Sequence, residues 1–129
     1  MHETPRARRV AIADDSPAFL SAAATYVATL PGFTLAGVAR TAPQTVELVE
    51  SSMPDVLLLD LGLAPRRGLE LVRKVKAVPA APLIVALSLF YTPEALAAVR
   101  RAGADDLVGK ERFIAGLSQA FARLFPGDA

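Results

Sequence analysis

The feature that most constrains this chain is an alternation. Short continuous apolar runs give way to segments whose apolar residues recur every three or four positions, and the change happens five times. Val10-Ala11-Ile12-Ala13, Thr34 to Val38, Val56-Leu57-Leu58-Leu59, Leu83-Ile84-Val85-Ala86-Leu87 and Leu107-Val108 have the length of strands. The uninterrupted run before Asp60 is what a central parallel strand needs when helices cover both of its faces. Leu20, Ala23, Val27 and Leu30 share one helical face, as do Leu69, Val72 and Val75, then Leu96 and Val99, and finally Ile114, Leu117, Phe121 and Leu124. The punctuation agrees. Ser16-Pro17 opens the first helix and Pro31-Gly32 stops it; Thr41 caps a second that Met53-Pro54 breaks. Thr92-Pro93-Glu94 opens a fourth, which Gly103 closes. Five β-then-α units predict an α/β protein, a doubly wound parallel sheet with helices on both faces.

At 129 residues the chain has the size of one domain, and at 53% hydrophobic it can fill a core. The lack of cysteine excludes disulfides, thiolate metal sites and a cysteine nucleophile, and fits a cytoplasmic setting. No apolar run approaches the roughly 20 residues that span a bilayer, and Met1 to Arg6 has no apolar signal core, so no membrane role is expected. A net charge of +1 argues for no anionic partner. Arg6, Arg8 and Arg9 read as a solvated leader to the first strand rather than a nucleic-acid patch, and His2 as a terminal residue rather than a ligand or base.

The polar residues that interrupt this pattern fall in one place. In open parallel sheets, ligands bind outside the carboxyl ends of the strands, near the reversal of strand order. The first strand ends at Asp14-Asp15, the third at Asp60, the fourth at Ser88, and the fifth just before Lys110. Three acids brought together repel one another and call for a hard divalent cation with oxygen ligands; magnesium takes one or two carboxylates together with phosphate oxygens. A carboxylate can also be a nucleophile and form an acyl phosphate. Each residue alone has a blander reading: Asp15 as a cap for the helix at Pro17, Ser88 as an ordinary hydroxyl, Lys110 as a surface lysine. Asp105-Asp106, also an acid pair, lies at the other end of its strand and reads as a solvated turn. The coincidence of four strand ends carries the argument.

These residues resemble the response regulator receiver family, of the chemotaxis-regulator-like superfamily. The anchors are Ala13-Asp14-Asp15-Ser16, Leu57-Leu58-Leu59-Asp60-Leu61, Gly68-Leu69-Glu70, Ala86-Leu87-Ser88 and Ala102-Gly103-Ala104-Asp105-Asp106 with Lys110. The resemblance covers 9–125, with 1–8 as leader and 126–129 as tail. It implies a flavodoxin-like (βα)5 fold with strand order 2-1-3-4-5. It implies that Asp60 accepts a phosphoryl group and that Asp14, Asp15, Asp60 and the Gly62 carbonyl hold Mg²⁺ (or Mn²⁺). Ser88 stands at the switch hydroxyl and Lys110 at the phosphate-binding lysine. The implied donor is a histidine kinase or phosphotransfer protein. The implied reader is an effector protein or an output domain outside these residues, with homodimerisation through the fourth helix, fifth strand and fifth helix, where Leu96, Arg100, Leu107 and Phe113 fall. No direct nucleic-acid binding by the domain is implied.

Several positions depart from the family pattern. Ala64 replaces the proline usual four residues after the phosphoacceptor, and Pro65 follows it. Glu111 replaces the proline usual after Lys110. Leu107 stands where an aromatic switch residue is usual, so the familiar aromatic relay from Ser88 is not expected. Leu89, Phe90 and Tyr91 follow Ser88, where a small residue is usual. Leu89 and Phe90 either shield an acyl phosphate from water or, with Tyr91, offer an apolar partner surface. Two other functions use the same residues. A pseudo-receiver would bind proteins without phosphorylation. An aspartyl-nucleophile phosphohydrolase would want a second acid two residues after Asp60, where this chain has Gly62.

Overall fold

The computed structural model describes residues 6–127, so Met1 to Pro5, with His2, and Asp128-Ala129 of the expected tail lie outside the described residues. The elements follow in strict alternation: β1 (Arg8–Ala13), α1 (Pro17–Thr29), β2 (Phe33–Ala39), α2 (Ala42–Ser52), β3 (Val56–Asp60), α3 (Gly68–Lys76), β4 (Leu83–Ser88), α4 (Pro93–Ala102), β5 (Asp106–Gly109) and α5 (Phe113–Leu124). Short 3-10 turns at Leu61–Leu63 and Lys110–Arg112 follow β3 and β5. The strands are parallel in the order β2-β1-β3-β4-β5, the flavodoxin-like (βα)5 arrangement expected.

Because side chains alternate across a strand, each apolar run serves two cores at once. Val10, Ile12, Val56, Leu58, Val85, Leu87 and Val108 face one side with Leu20, Val27, Leu117 and Phe121 from α1 and α5. Ala11, Ala13, Leu57, Leu59, Ile84, Ala86 and Leu107 face the other with Val49, Val72, Val75 and Val99 from α2, α3 and α4. Each fully buried Leu or Val contributes about 1.5–3 kcal/mol of transfer free energy, so the central strands are held from both sides.

The helix starts are capped as read. Ser16, Thr41 and Thr92 accept from the backbone N–H of Phe19, Gln44 and Ala95 at 3.2, 3.2 and 3.0 Å. Ser16, not Asp15, is therefore the cap of α1. Gly103 closes α4 at φ +116°, a conformation that penalises any side chain. After β3, Arg67 N–H donates to the Ala64 carbonyl at 2.8 Å, and Arg66 between them adopts φ 65°. Pro65 thus sits at the second position of a tight turn. At the end of that loop, a Cβ on Gly68 would lie 2.7 Å from the Leu61 carbonyl oxygen.

Three readings are corrected. Arg8 and Arg9 are not leader: they belong to β1, where Arg8 stacks 4.7 Å from the Phe125 ring centroid and Arg9 donates to the Ser52 and Met53 carbonyls at the end of α2. Asp105 and Asp106 are not a solvated turn. Asp105 accepts from Ile84 N–H at 2.8 Å and pairs with Lys76 at 3.0 Å, while Asp106, buried in β5, pairs with Arg123 of α5. Ile114 is 61% exposed rather than on the α5 core face. Phe113, Leu117, Ala120, Phe121 and Leu124, which also recur at helical spacing, face inward instead.

A buried charge that loses its partner is costlier than a missing surface pair. Arg123→Ala, which strands the Asp106 carboxylate, is expected to lower stability by roughly 1–3 kcal/mol, less than a fully buried pair because Arg123 is half-exposed; urea unfolding measures it.

Candidate functional site

The site lies where β1, β3, β4 and β5 end together. Residues 13 and 59 are register partners, as are Asp60 with Leu87 and Ser88 with Gly109. The parallel register therefore sets Asp14, Asp60, Ser88 and Lys110 along one edge. Oxygens of Asp14, Asp15 and Asp60 all lie within 4.8 Å of one another. Asp14 and Asp60 are buried, and Asp15 is exposed.

Each carboxylate is aimed by a local bond. Asp14 Oδ1 accepts from Ser16 N–H at 2.8 Å, and Asp60 Oδ1 accepts from Gly62 N–H at 3.2 Å. The second oxygen of each is left toward the shared space. Lys110 closes that space: its ammonium pairs with Asp14 Oδ2 and lies 3.5 Å from Asp60 Oδ2. Asp14 Oδ2 is wholly buried and, although it touches the ammonium, accepts no hydrogen bond among the described residues. Its partner is a charge on a long side chain rather than a fixed backbone donor, so the oxygen stays open to a cation. Together with an all-oxygen donor set, it makes the cluster suited to a hard divalent cation.

The electrostatics point the same way. Burial, and then the neighbouring Asp14 carboxylate, push the Asp60 carboxyl above the ordinary aspartate value of 3.8, against the Gly62 N–H and the Lys110 ammonium, which pull it down. Ser88 ends β4 half-buried, and its Oγ accepts a long bond from Phe90 N–H at 3.4 Å.

The remaining predicted positions divide. Leu89 and Phe90 are 69% and 73% exposed, and Tyr91 is exposed beside them. Leu107 is buried in the same cluster as Val99 and Ala102, beneath α4. Phe113 packs against Phe19 and Tyr26 of α1, within the apolar cluster that α1 and α5 share. Sequence reasoning does not single out Phe19, whose ring centroid is 4.4 Å from Lys110 Nζ. Its one signal is position: it follows Asp15 by one helical turn.

A doubly wound sheet with three acids and a lysine at its carboxyl edge defines a phosphoacceptor domain of the signalling type. The chain belongs to the response regulator receiver domain family, whose model matches residues 10–122. It is 30% identical over 119 residues to the nitrate/nitrite response regulator protein NarL of Escherichia coli K12, covering 92% of this chain and 55% of that one. It is 34% identical over 108 residues to protein-glutamate methylesterase/protein-glutamine glutaminase 5 of Myxococcus xanthus, covering 83% and 31%. The chain thus spans about half the length of the first relative and under a third of the second. Among solved structures it is similar to a two-component response regulator of the LuxR family from Aurantimonas sp. SI85-9A1 (TM-score 0.83, 24% identity, 94% of this chain and 86% of that one). It is also similar to the isolated receiver domain of RcsB from Salmonella enterica serovar Typhimurium with phosphomimetic BeF3⁻ (TM-score 0.81, 22% identity, 95% and 91%). Asp14, Asp15 and Asp60 form the acid cluster of such a receiver, consistent with a site of aspartyl phosphorylation in a two-component regulator. No described helix is long and apolar enough to cross a membrane.

The raised Asp60 carboxyl has a sign in stability. Its neutral form is favoured by folding, so stability falls as pH rises from the ordinary aspartate range through the higher folded value. Without divalent cation at neutral pH, Asp60→Asn is expected to melt above wild type, and the gap should close below pH about 4. Thermal scans across pH measure both.

Proposed function

We propose that the chain is a Mg²⁺-dependent phosphoryl acceptor whose charged state switches protein–protein contacts. The observation that carries the reading is the Asp60 carboxylate, aimed by Gly62 N–H into a space shared with two acids and the Lys110 ammonium. An Asp60 oxygen attacks the phosphorus of a phosphohistidine donor protonated at its other ring nitrogen; the new P–O bond forms as the P–N bond breaks, the P–N electron pair stays on the ring, and the imidazole leaves neutral with that proton. Asp14, Asp15, Asp60 and the Gly62 carbonyl would hold Mg²⁺ or Mn²⁺, which supplies charge neutralisation on the phosphoryl oxygens. Lys110 offsets further charge on those oxygens. Ser88, already accepting at Oγ, keeps its own O–H to donate to the phosphoryl group. Positioning and electrostatics provide most of the catalysis in such transfers.

The donor class is a histidine kinase or phosphotransfer protein in the cytoplasm. The reader is a protein or an output domain. NarL and the methylesterase share this domain while their names describe different functions, which supports assigning the reader by class alone. Homodimerisation through α4, β5 and α5 would use Leu96 and Arg100 on the face of α4. Leu89 and Phe90, exposed next to Ser88, would screen the acyl phosphate from attacking water.

Incubation with acetyl phosphate and Mg²⁺ is expected to add one phosphoryl group, seen as intact mass. Asp60→Asn or removal of the cation by a chelator should abolish the gain, and Lys110→Ala should slow it by roughly a hundredfold. Failure of wild type to gain the mass would favour a pseudo-receiver. Leu89→Ala is expected to hasten loss of the phosphoryl group; an unchanged lifetime leaves Leu89 to partner binding.

A further inference from the structure

Lys110 stands between two unlike surroundings. On one side are the Asp14 and Asp60 carboxylates. On the other is the Phe19 ring, with the ammonium 4.4 Å from its centroid and the lysine side chain 17% exposed. A cation over an aromatic face is attracted by the ring quadrupole, more strongly where water is displaced. The ring is itself held. Its backbone N–H bonds the Ser16 hydroxyl at 3.2 Å, directly after the acid pair. It meets Phe113 of α5 edge to face, with centroids 5.0 Å apart and planes at 73°, and Phe113 meets Tyr26 of α1 in the same manner at 6.1 Å.

The geometry points to Phe19 as a positioning residue for Lys110, which keeps the ammonium at the mouth of the acid cluster before a phosphoryl group arrives. The inference rests on phosphorylation at Asp60 as proposed above. The carboxylates cannot do this alone. Their pull on Lys110 weakens when a divalent cation neutralises them, whereas an uncharged ring loses nothing to that competition. Lysine carries a long, rotamer-rich stem, and a stem already docked on a ring gives up less freedom on meeting phosphate. The interaction also differs in kind from apolar filling. An aliphatic side chain of similar bulk would occupy the same space and attract no cation.

Two measurements on the full chain test this. The first needs neither donor nor metal. The Lys110 Cε protons should be displaced upfield in NMR spectra by the Phe19 ring current, should stay so in Phe19→Tyr, and should return to ordinary positions in Phe19→Leu. The second is phosphorylation by acetyl phosphate. Phe19→Leu is expected to lower the limiting rate roughly three- to tenfold, with Phe19→Tyr near wild type. Should Phe19→Leu fail to fold, stepwise fluorination of phenylalanine at position 19 keeps the shape and drains the ring face, and the rate should fall with each fluorine. Undisplaced Lys110 protons in wild type, equal rates in wild type and Phe19→Leu, or indifference to fluorination would each overturn the inference. A wild type that takes no phosphoryl group overturns the parent reading and this one together; a labelled wild type with an indifferent Phe19→Leu overturns this one alone.

Discussion

Asp14 and Asp60 are two buried carboxylates pointed at one space, and neither can turn away. Like charges in that position cost free energy, and the surrounding structure is what keeps them there. Each sits at the end of a central strand whose side chains are packed into two cores. Each has one oxygen fixed by a backbone N–H two residues on. The charge left over is met by a single ammonium, Lys110, delivered from the far side of β4 by β5. Loss of strand register by one residue would rotate a carboxylate out of the cluster and an apolar side chain out of its core together. The apolar runs therefore do two things: they fill the interior, and they hold a repulsive arrangement that a cation or a phosphoryl group can relieve.

The fold and the acid cluster were legible because both follow from short-range patterns. Apolar runs of strand length end in polar residues, and the parallel topology collects those ends. What escaped reading depends on phase and on partners distant in sequence. Asp106 looks like half of a solvated turn until Arg123, a full helix later, comes to lie over it. Arg9 looks like leader until the end of α2 presents two carbonyls to its guanidinium. Ile114 and Phe113 both fit the helical spacing with Leu117, and only the contact of Phe113 with Phe19 and Tyr26 of α1 decides which of them faces inward. Phe19 carries no local signal beyond lying one turn from Asp15, since its significance comes from a lysine on another strand end.

The departures from the family pattern gain a physical context. With Leu107 buried beneath α4, the side of the sheet where the aromatic relay is usual holds an aliphatic core residue. Three packed aromatic side chains, Phe19, Phe113 and Tyr26, lie instead on the opposite side, where they join α1 to α5. The turn through Pro65 and Arg66 closes the loop after Asp60 without the usual proline at 64. The three acids and Lys110 come together in one cluster although residues flanking them depart from the family pattern.

That redistribution has an optical consequence. The chain contains no tryptophan and two tyrosines. Tyr26 lies in the aromatic group that borders Phe113, and Tyr91 stands exposed in the loop after β4. Tyrosine signals from this protein therefore come from two phenols, one in a tertiary contact and one half-exposed beside Ser88. Replacing Tyr91 with phenylalanine leaves Tyr26 as the single tyrosine, whose phenol signal, at longer wavelength than phenylalanine absorbs, gauges the α1–α5 packing without a label.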